Sequence, residues 1–315
     1  MRYQFISVKS VIEGLLTFLP GFKGSLNKKT GGTNAASYCY SVWLRHHSKI
    51  VQTLRINLAG SHIAELGPGD SLGVGIAALL SGCGSYTAID TVQHFNTEIN
   101  LAVLDELHWL FAQKSPIPNQ DELPLVKPLL DNYSFPSFLN LNSSHLSQDR
   151  KAKIAASLKY INHQSSLISF LPAESTENFN NNSFFDLILS QAALEHVNDL
   201  PSAYAMCSKW LKPGGVMSHT IDFKCHGAAK EWNGHWAYPT FLWHILMGRR
   251  TYFINRQPLS VHLRLLDEHG FDIILLEKFH QHSTLTRSDL AKDFFSLTEE
   301  DITTAGAYIL AQKRL

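Results

Sequence analysis

A short apolar run from Ile63 ends at Glu65. The chain then turns through Gly67, Pro68 and Gly69 and passes at once into an apolar stretch, Leu72 to Leu80, with helical character. Strand, glycine turn and helix in that order restrict the chain to α/β arrangements in which backbone approaches a ligand closely or takes positive φ at the turn. A helix entered this way offers N–H groups at its start. A second apolar run, Tyr86 to Ile89, closes in Asp90, about 20 residues beyond the glycines, where a doubly wound sheet sets a carboxylate against ribose hydroxyls. These features together describe a nucleoside site.

Further strands follow. Phe185-Asp186-Leu187-Ile188-Leu189-Ser190 reads as a buried strand, Leu194-Glu195-His196-Val197 comes after it, and Leu211-Lys212-Pro213-Gly214-Gly215 leads into Val216 to Ile221. This ordered set resembles the class I S-adenosylmethionine-dependent methyltransferases, whose glycine loop reads acid-x-Gly-x-Gly and whose second strand ends in an acid. Their fourth and fifth strands carry Phe-Asp-Leu-Ile and Leu-Lys-Pro-Gly-Gly. The resemblance spans Ile63 to Phe223, with Ser71 where the third glycine usually stands and Gly73 two places later. It implies a doubly wound, mostly parallel, seven-stranded Rossmann-like α/β sheet and S-adenosyl-L-methionine as methyl donor. Residues 1–57 then form an N-terminal helical extension, residues 58–315 the methyltransferase domain, and residues 110–160 a lid-like insertion.

The resemblance also places the donor. Glu65, Gly67, Pro68, Gly69 and Asp70 surround it at the turn, Asp90 takes the ribose, and Gln191 lies beside it after the fourth strand. Glu174, just after a third strand at Leu167 to Phe170, either holds the adenine amino group or is an ordinary loop carboxylate. Family members that bind a divalent metal share the Glu195-His196 pair but carry a further glutamate where this chain has Ala192, so no metal is expected.

Charge narrows the acceptor. Lys and Arg together number 27, equal to Asp plus Glu, so no net field attracts a polyanion and nucleic acid is not an expected partner. With 17% charged and 44% apolar residues the chain is globular. Its 4 cysteines are spread without metal-site pairs and are too few for a disulfide scaffold, which points to a reducing cytoplasm. The apolar stretch Val11 to Leu19 is interrupted by Glu13 and stopped by Pro20-Gly21. It is too short to cross a bilayer, and reads either as a buried amphipathic helix or as a membrane-surface contact, without stable insertion.

Gly31-Gly32-Thr33-Asn34 breaks the N-terminal helices. Tyr38 and Tyr40 beyond it either touch ligand or belong to the core, and the adjacent His46 and His47 diverge on a helix and so do not share a metal. Asn96 to Phe111 and Ser147 to Tyr160 have helical patterns, while Pro116 to Pro136 carries five prolines and cannot be one helix. It is expected to wall or close the carboxyl edge of the sheet. An Asn-rich turn spans Asn178 to Asn182, and a helix capped by Asn198 or Asp199 runs to Leu211. The last elements are a helix from Leu259 to His269 stopped by Gly270, then strands at Phe271 to Glu277 and Ala307 to Gln312.

Methyl transfer to oxygen or nitrogen needs in-line placement and removal of a proton. His196, His219 and His235 titrate near neutrality when unperturbed. His196 by position and His235 by its place between Trp232 and Trp236 are the candidate bases, and the tryptophan corner either orients a small polar acceptor or caps the core. Two alternatives stay open, a donor-binding module without catalysis and a nicotinamide oxidoreductase, although the latter's loop has a glycine where this chain has Leu72.

Overall fold

The computed structural model describes residues 2–19, 33–139, 141, 144–174, 182–250 and 253–315. The expectations for Pro20-Gly21, for Gly31-Gly32 and for most of the Asn178 to Asn182 turn lie outside the described residues. Seven strands form one sheet: β1 (His62–Leu66), β2 (Ser85–Asp90), β3 (Ile168–Pro172), β4 (Phe185–Gln191), β5 (Leu211–Asp222), β6 (Phe271–His280) and β7 (Thr304–Lys313). Their order is β3-β2-β1-β4-β5-β7-β6. β7 runs antiparallel to both β5 and β6, and the other pairs are parallel. The order reverses between β1 and β4, which opens a crevice at the carboxyl ends of those strands.

The described helices are α1 (Val8–Leu16), α2 (Ala36–Leu54), α3 (Gly73–Leu80), α4 (Thr97–Ala112), α5 (Gln148–Lys159), α6 (Leu200–Trp210), α7 (Thr240–Met247), α8 (Leu259–Glu268) and α9 (Glu299–Thr303). α2 to α5 share a core with one face of the sheet, and α6 and α8 cover the other. α3 is apolar and buried along its whole length, because it is enclosed between the sheet and its neighbours α2 and α4. Side-chain caps fix the starts of α4, α5 and α6. Asn96 accepts from the Ile99 N–H, Ser147 from that of Arg150, and Asp199 from that of Ser202. The cap of α6 is therefore Asp199 rather than Asn198.

The two last strands run beyond their expected limits, because β6 and β7 pair from Phe271↔Lys313 to His280↔Thr304, with register shifts between Ile273 and Leu275 and between Phe279 and His280. The proline-rich segment has no regular structure and lies on α2. The fully buried Arg45 guanidinium donates to the carbonyls of Pro118 (2.7 Å) and Val126 (2.5 Å). The segment reaches the carboxyl half of β5 at Lys127, whose carbonyl accepts from Thr220 Oγ1 at 3.3 Å.

α1 departs from the buried amphipathic helix among the two expected readings. The side it buries carries Ser10 and Gly14, while Val8, Ile12 and Leu15 are exposed. No helix among the described residues is long and apolar enough to cross a membrane.

Candidate active site

The turn between β1 and α3 brings the expected donor residues to the crevice. Gly67 and Gly69 have φ of +69° and +75°, a region that side chains with a Cβ rarely take. The space a side chain would need is already filled by protein: a Cβ on Gly67 would lie 2.7 Å from Ala193 Cβ, and one on Gly69 would lie 2.7 Å from Thr33 Oγ1. Glycine at these positions thus answers to packing of the chain on itself.

N–H groups around the start of α3 are similarly engaged. The Asp70 N–H donates to Thr33 Oγ1 (2.7 Å), that of Leu72 to Asn100 Oδ1 (2.8 Å) and that of Gly73 to Ser71 Oγ (3.2 Å). The expectation that this helix start holds its N–H groups open meets three protein acceptors instead. Thr33 and Asn100 are the residues that sequence reasoning missed. Neither carries a local signal, since each lies roughly 30 or more positions from the group it caps.

Glu65 is buried and accepts from the Tyr86 hydroxyl at 2.5 Å. Burial, and then the charge of Asp90, push its carboxyl up to about 7, against the opposing hydrogen bond from Tyr86. Asp90 ends β2 half-buried, its Oδ1 accepting from the backbone N–H of Thr91 at 2.7 Å. Glu174 lies exposed beyond the end of β3. Gln191 ends β4, with Oε1 accepting from His46 Nε2 at 3.1 Å. His46 Nδ1 then accepts from Ser218 Oγ (2.8 Å), which accepts in turn from the Tyr308 hydroxyl (2.9 Å). Burial holds His46 down to about 4, which keeps the ring neutral and this order of donors intact. His47 points elsewhere, packed against Trp43 and Phe138. Tyr38 is half-buried, and burial, then Cys39, Glu65 and Glu195, push its phenol up. It therefore sits within electrostatic reach of both carboxyls, while Tyr40 is core, its hydroxyl donating to the Ser115 carbonyl at 2.7 Å.

A second group of polar side chains follows β4 and β5. Glu195 is 3% exposed and neither carboxyl oxygen has a hydrogen-bond partner. Burial drives its carboxyl far up, with Asp222 adding to the push, while the nearby backbone N–H groups of Glu195 and Asp222 and the Lys224 charge oppose it. The turn that carries it is held by Asn255, whose backbone N–H donates to the Glu195 carbonyl at 2.7 Å. His196 is half-buried, its Nδ1 unpartnered and its ring 5.5 Å from that of His226. Burial, then His226, hold it down to about 4. Asp222 sits 3.3 Å from Lys224 Nζ and 3.5 Å from His226 Nε2. Burial would raise its carboxyl, but the His226 hydrogen bond and the Lys224 charge keep it below the usual range. His219 donates to or accepts from Ser190 Oγ at 2.7 Å and is held down to about 3 by burial.

His235 is placed differently from His196. It is 1% exposed, its ring 4.4 Å from that of Trp236, and burial, then Arg256, hold it down to about 3. The polar groups of its corner turn inward. Asn233 Nδ2 donates to the Ile302 carbonyl and its Oδ1 accepts from Ser283 Oγ, while Trp236 Nε1 donates to the Arg256 carbonyl. The corner caps the core at these residues.

The doubly wound, mostly parallel, seven-stranded sheet is the one expected from the motifs; its glycine turn lies at the reversal of the strand order, and β7 is its antiparallel strand. A family model described as "Methyltransferase domain" matches residues 137–218, from the segment before α5 into β5. The chain has the class I methyltransferase fold. The match begins after β2, so the glycine turn and Asp90 lie outside it. No curated protein matches the chain. Solved structures similar to it include an S-adenosylmethionine-dependent methyltransferase from Mesorhizobium loti, at 13% identity over 85% of this chain and 98% of that one, with a TM-score of 0.42. Another, from Methanosarcina mazei, is 15% identical over 84% and 97%, with a TM-score of 0.42. Phosphoethanolamine N-methyltransferase 2 of Haemonchus contortus, solved with phosphomonomethylethanolamine and S-adenosylhomocysteine, is 13% identical over 92% of this chain and 60% of its own, with a TM-score of 0.42. At such scores these likenesses add nothing about activity to what the motifs and the family match carry.

Proposed function

We propose that the chain binds S-adenosylmethionine in the crevice between β1 and β4 and transfers its methyl group to a small-molecule acceptor or to a small polar group on a conjugate. The observation that carries this reading is the use made of N–H groups where α3 begins. A dinucleotide asks that region to cradle a pyrophosphate with open N–H groups, whereas here those of Asp70, Leu72 and Gly73 are given to Thr33, Asn100 and Ser71. A sulfonium nucleoside has no phosphate and makes no such demand. Asp90 at the end of β2 is then the carboxylate for the ribose hydroxyls. Gln191, its Oε1 fixed by His46, borders the same crevice, and Glu65 closes its floor. Pro68 and Asp70 line the turn, and Glu174 is an adenine contact only if the loop that carries it folds inward.

When bound, the donor supplies an electrophilic methyl group on a positively charged sulfur. The residues have two tasks, to hold donor and acceptor in line and to exclude water. For an oxygen or nitrogen acceptor a proton must also leave. His196 is the side chain we assign to that step, because its ring is half-buried rather than enclosed, and its Nδ1, itself shielded from solvent, has no partner in the protein. His235 remains the second candidate, its Nδ1 also unpartnered but its ring shut behind Trp236. The segment from Pro116 to Pro136 supports a wall on the acceptor side, since Lys127 reaches Thr220 on β5.

Calorimetric titration with S-adenosylmethionine, S-adenosylhomocysteine and NAD tests the reading. Binding of the two sulfur nucleosides without NAD is the expected outcome, and NAD binding without them overturns it. Donor binding without turnover across alcohol, amine and thiol acceptors would instead make the chain a binding module.

A further inference from the structure

Helix α1 buries little of its apolar surface. Its buried side carries Ser10 and Gly14, with Val11 half-buried against the Tyr238, Trp243 and Leu246 cluster, and the approach there is so close that a Cβ on Gly14 would lie 2.4 Å from the carbonyl oxygens of Ile245 and Leu246 on α7. Small residues let the two helices meet backbone to backbone. The large apolar residues are left on the opposite side, where Val8, Ile12, Leu15, Phe18 and Leu19 are each between 49% and 67% exposed. Phe241, in the first turn of α7, is 67% exposed as well. Single exposed apolar residues need no explanation, but a run of five within 12 positions is an interaction surface.

The charge beside this surface selects its partner. Lys9 is 85% exposed, and the Arg249 guanidinium lies 5.6 Å from the centre of the Phe18 ring. In sequence, the first 32 residues hold five cationic side chains and a single acid in a chain of zero net charge. That acid, Glu13, is mostly buried and already lies 3.8 Å from Lys9 and 3.6 Å from Arg250. An isologous second copy would bring the same cations against each other, while Glu13 is already engaged by Lys9 and Arg250. An anionic lipid surface supplies both an apolar layer and negative charge.

We propose that α1, with Phe18, Leu19 and Phe241, docks the protein peripherally on an anionic membrane, the apolar side entering the headgroup boundary and Lys9 and Arg249 meeting lipid phosphates. Insertion across the bilayer is not involved. The docking is independent of the methyl-donor reading, and its test does not use activity.

The full chain is sedimented with vesicles of phosphatidylcholine alone and with vesicles containing phosphatidylglycerol. Binding to the second kind only, weakening as salt is raised, is expected. Ile12→Asp and Leu15→Asp should each lower partitioning about ten-fold or more, with circular-dichroism melting showing that the fold is kept. Lys9→Glu reads the electrostatic part separately, at a position so exposed that folding is not at stake. Equal binding to both vesicle types, no binding to either, or full binding by the Ile12→Asp, Leu15→Asp double variant overturns the proposal. A dimer that the double variant dissolves, without vesicle binding, would assign the surface to a second copy and overturn it equally.

Discussion

The two sides of the crevice differ in how completely their buried polar groups are paired. On the donor side, between β2, β1 and β4, polar groups find partners within the protein: Glu65 takes the Tyr86 hydroxyl, the N–H groups near the start of α3 take Thr33, Asn100 and Ser71, and Gln191 takes His46. On the acceptor side, between β4 and β5, buried polar atoms are left over. Among the described residues both oxygens of Glu195, Nδ1 of His196 and Nε2 of His219 have no partner, against Nδ2 of Asn100 on the first side. Unpaired buried polar atoms cost stability, and such cost concentrates where a ligand completes the pairing. The side between β2, β1 and β4 is thus the more fully paired of the two.

The largest expected effect separates the two histidines. If His196 removes the acceptor's proton, His196→Ala should lower the methylation rate at saturating donor by about 10²- to 10⁴-fold and leave donor affinity unchanged. His235→Ala, opening a cavity behind Trp236, should act through stability, by about 1–3 kcal/mol, with a far smaller effect on rate. Rate measurements on a responsive acceptor, beside denaturant titrations of both variants, give the answer. A rate loss confined to His235→Ala would move the acceptor site into the tryptophan corner.

Next comes the glycine turn. Gly69→Val meets Thr33 at 2.7 Å and forces a side chain into φ +75°, so the variant should lose about 2–4 kcal/mol of stability before any question of ligand arises. Thr33→Ala combined with Gly69→Ala removes the clash and leaves the backbone strain. Its stability in urea should lie between those of the parent and Gly69→Val. A Gly69→Val protein as stable as the parent, yet blind to the donor, would mean that the turn gives way and the substitution fills only ligand space.

A smaller effect is expected at Asp90. Its Oδ1 is engaged only with its neighbour Thr91, so Asp90→Ala should cost the fold little while removing charge-assisted bonds to the ribose, each about 1.5–3 kcal/mol. Titration calorimetry should show that loss in donor affinity. Undiminished affinity would remove Asp90 from the site.

The same contrast explains what was legible in the sequence. Strands, the glycine turn and Asp90 follow from local pattern, and the structure puts them where the pattern placed them, with shifts of a few residues where β5, β6 and β7 extend. The caps on the N–H groups are not local. Thr33 and Asn100 lie far along the chain from Asp70 and Leu72, and nothing near the turn announces them. The tryptophan corner reads equally well as a wall or a cap until the partners of Asn233 and Trp236 are seen at Ile302, Ser283 and Arg256. α1 misleads for a related reason: apolar periodicity shows that one side differs from the other, but which side is buried depends on α7, more than 200 residues away.

The smallest effects are those of pH, and they carry opposite signs for a buried carboxyl and a buried histidine. Glu65 is raised from 4.5 to about 7, so the folded state holds a proton that the unfolded chain has lost. Its contribution is complete below pH 4.5 and disappears as pH rises toward 7. His219 is lowered from 6.5 to about 3; here the unfolded chain binds the extra proton, so its contribution is complete above pH 6.5 and disappears as pH falls toward 3. Each group changes stability by at most about 1.4 kcal/mol per pH unit within its window. Between pH 5 and 6.5 the two slopes oppose each other, and each should be exposed by removing the other. Glu65→Gln should make stability fall more steeply on acidification than in the parent, and His219→Gln should make it fall less steeply. Urea denaturation at pH 5, 5.5, 6 and 6.5 reads both. If the two substitutions moved the slope in the same direction, Glu65 would have to be ionised in the folded protein and held by a cation, and the more fully paired side would need the donor's own charge to be complete.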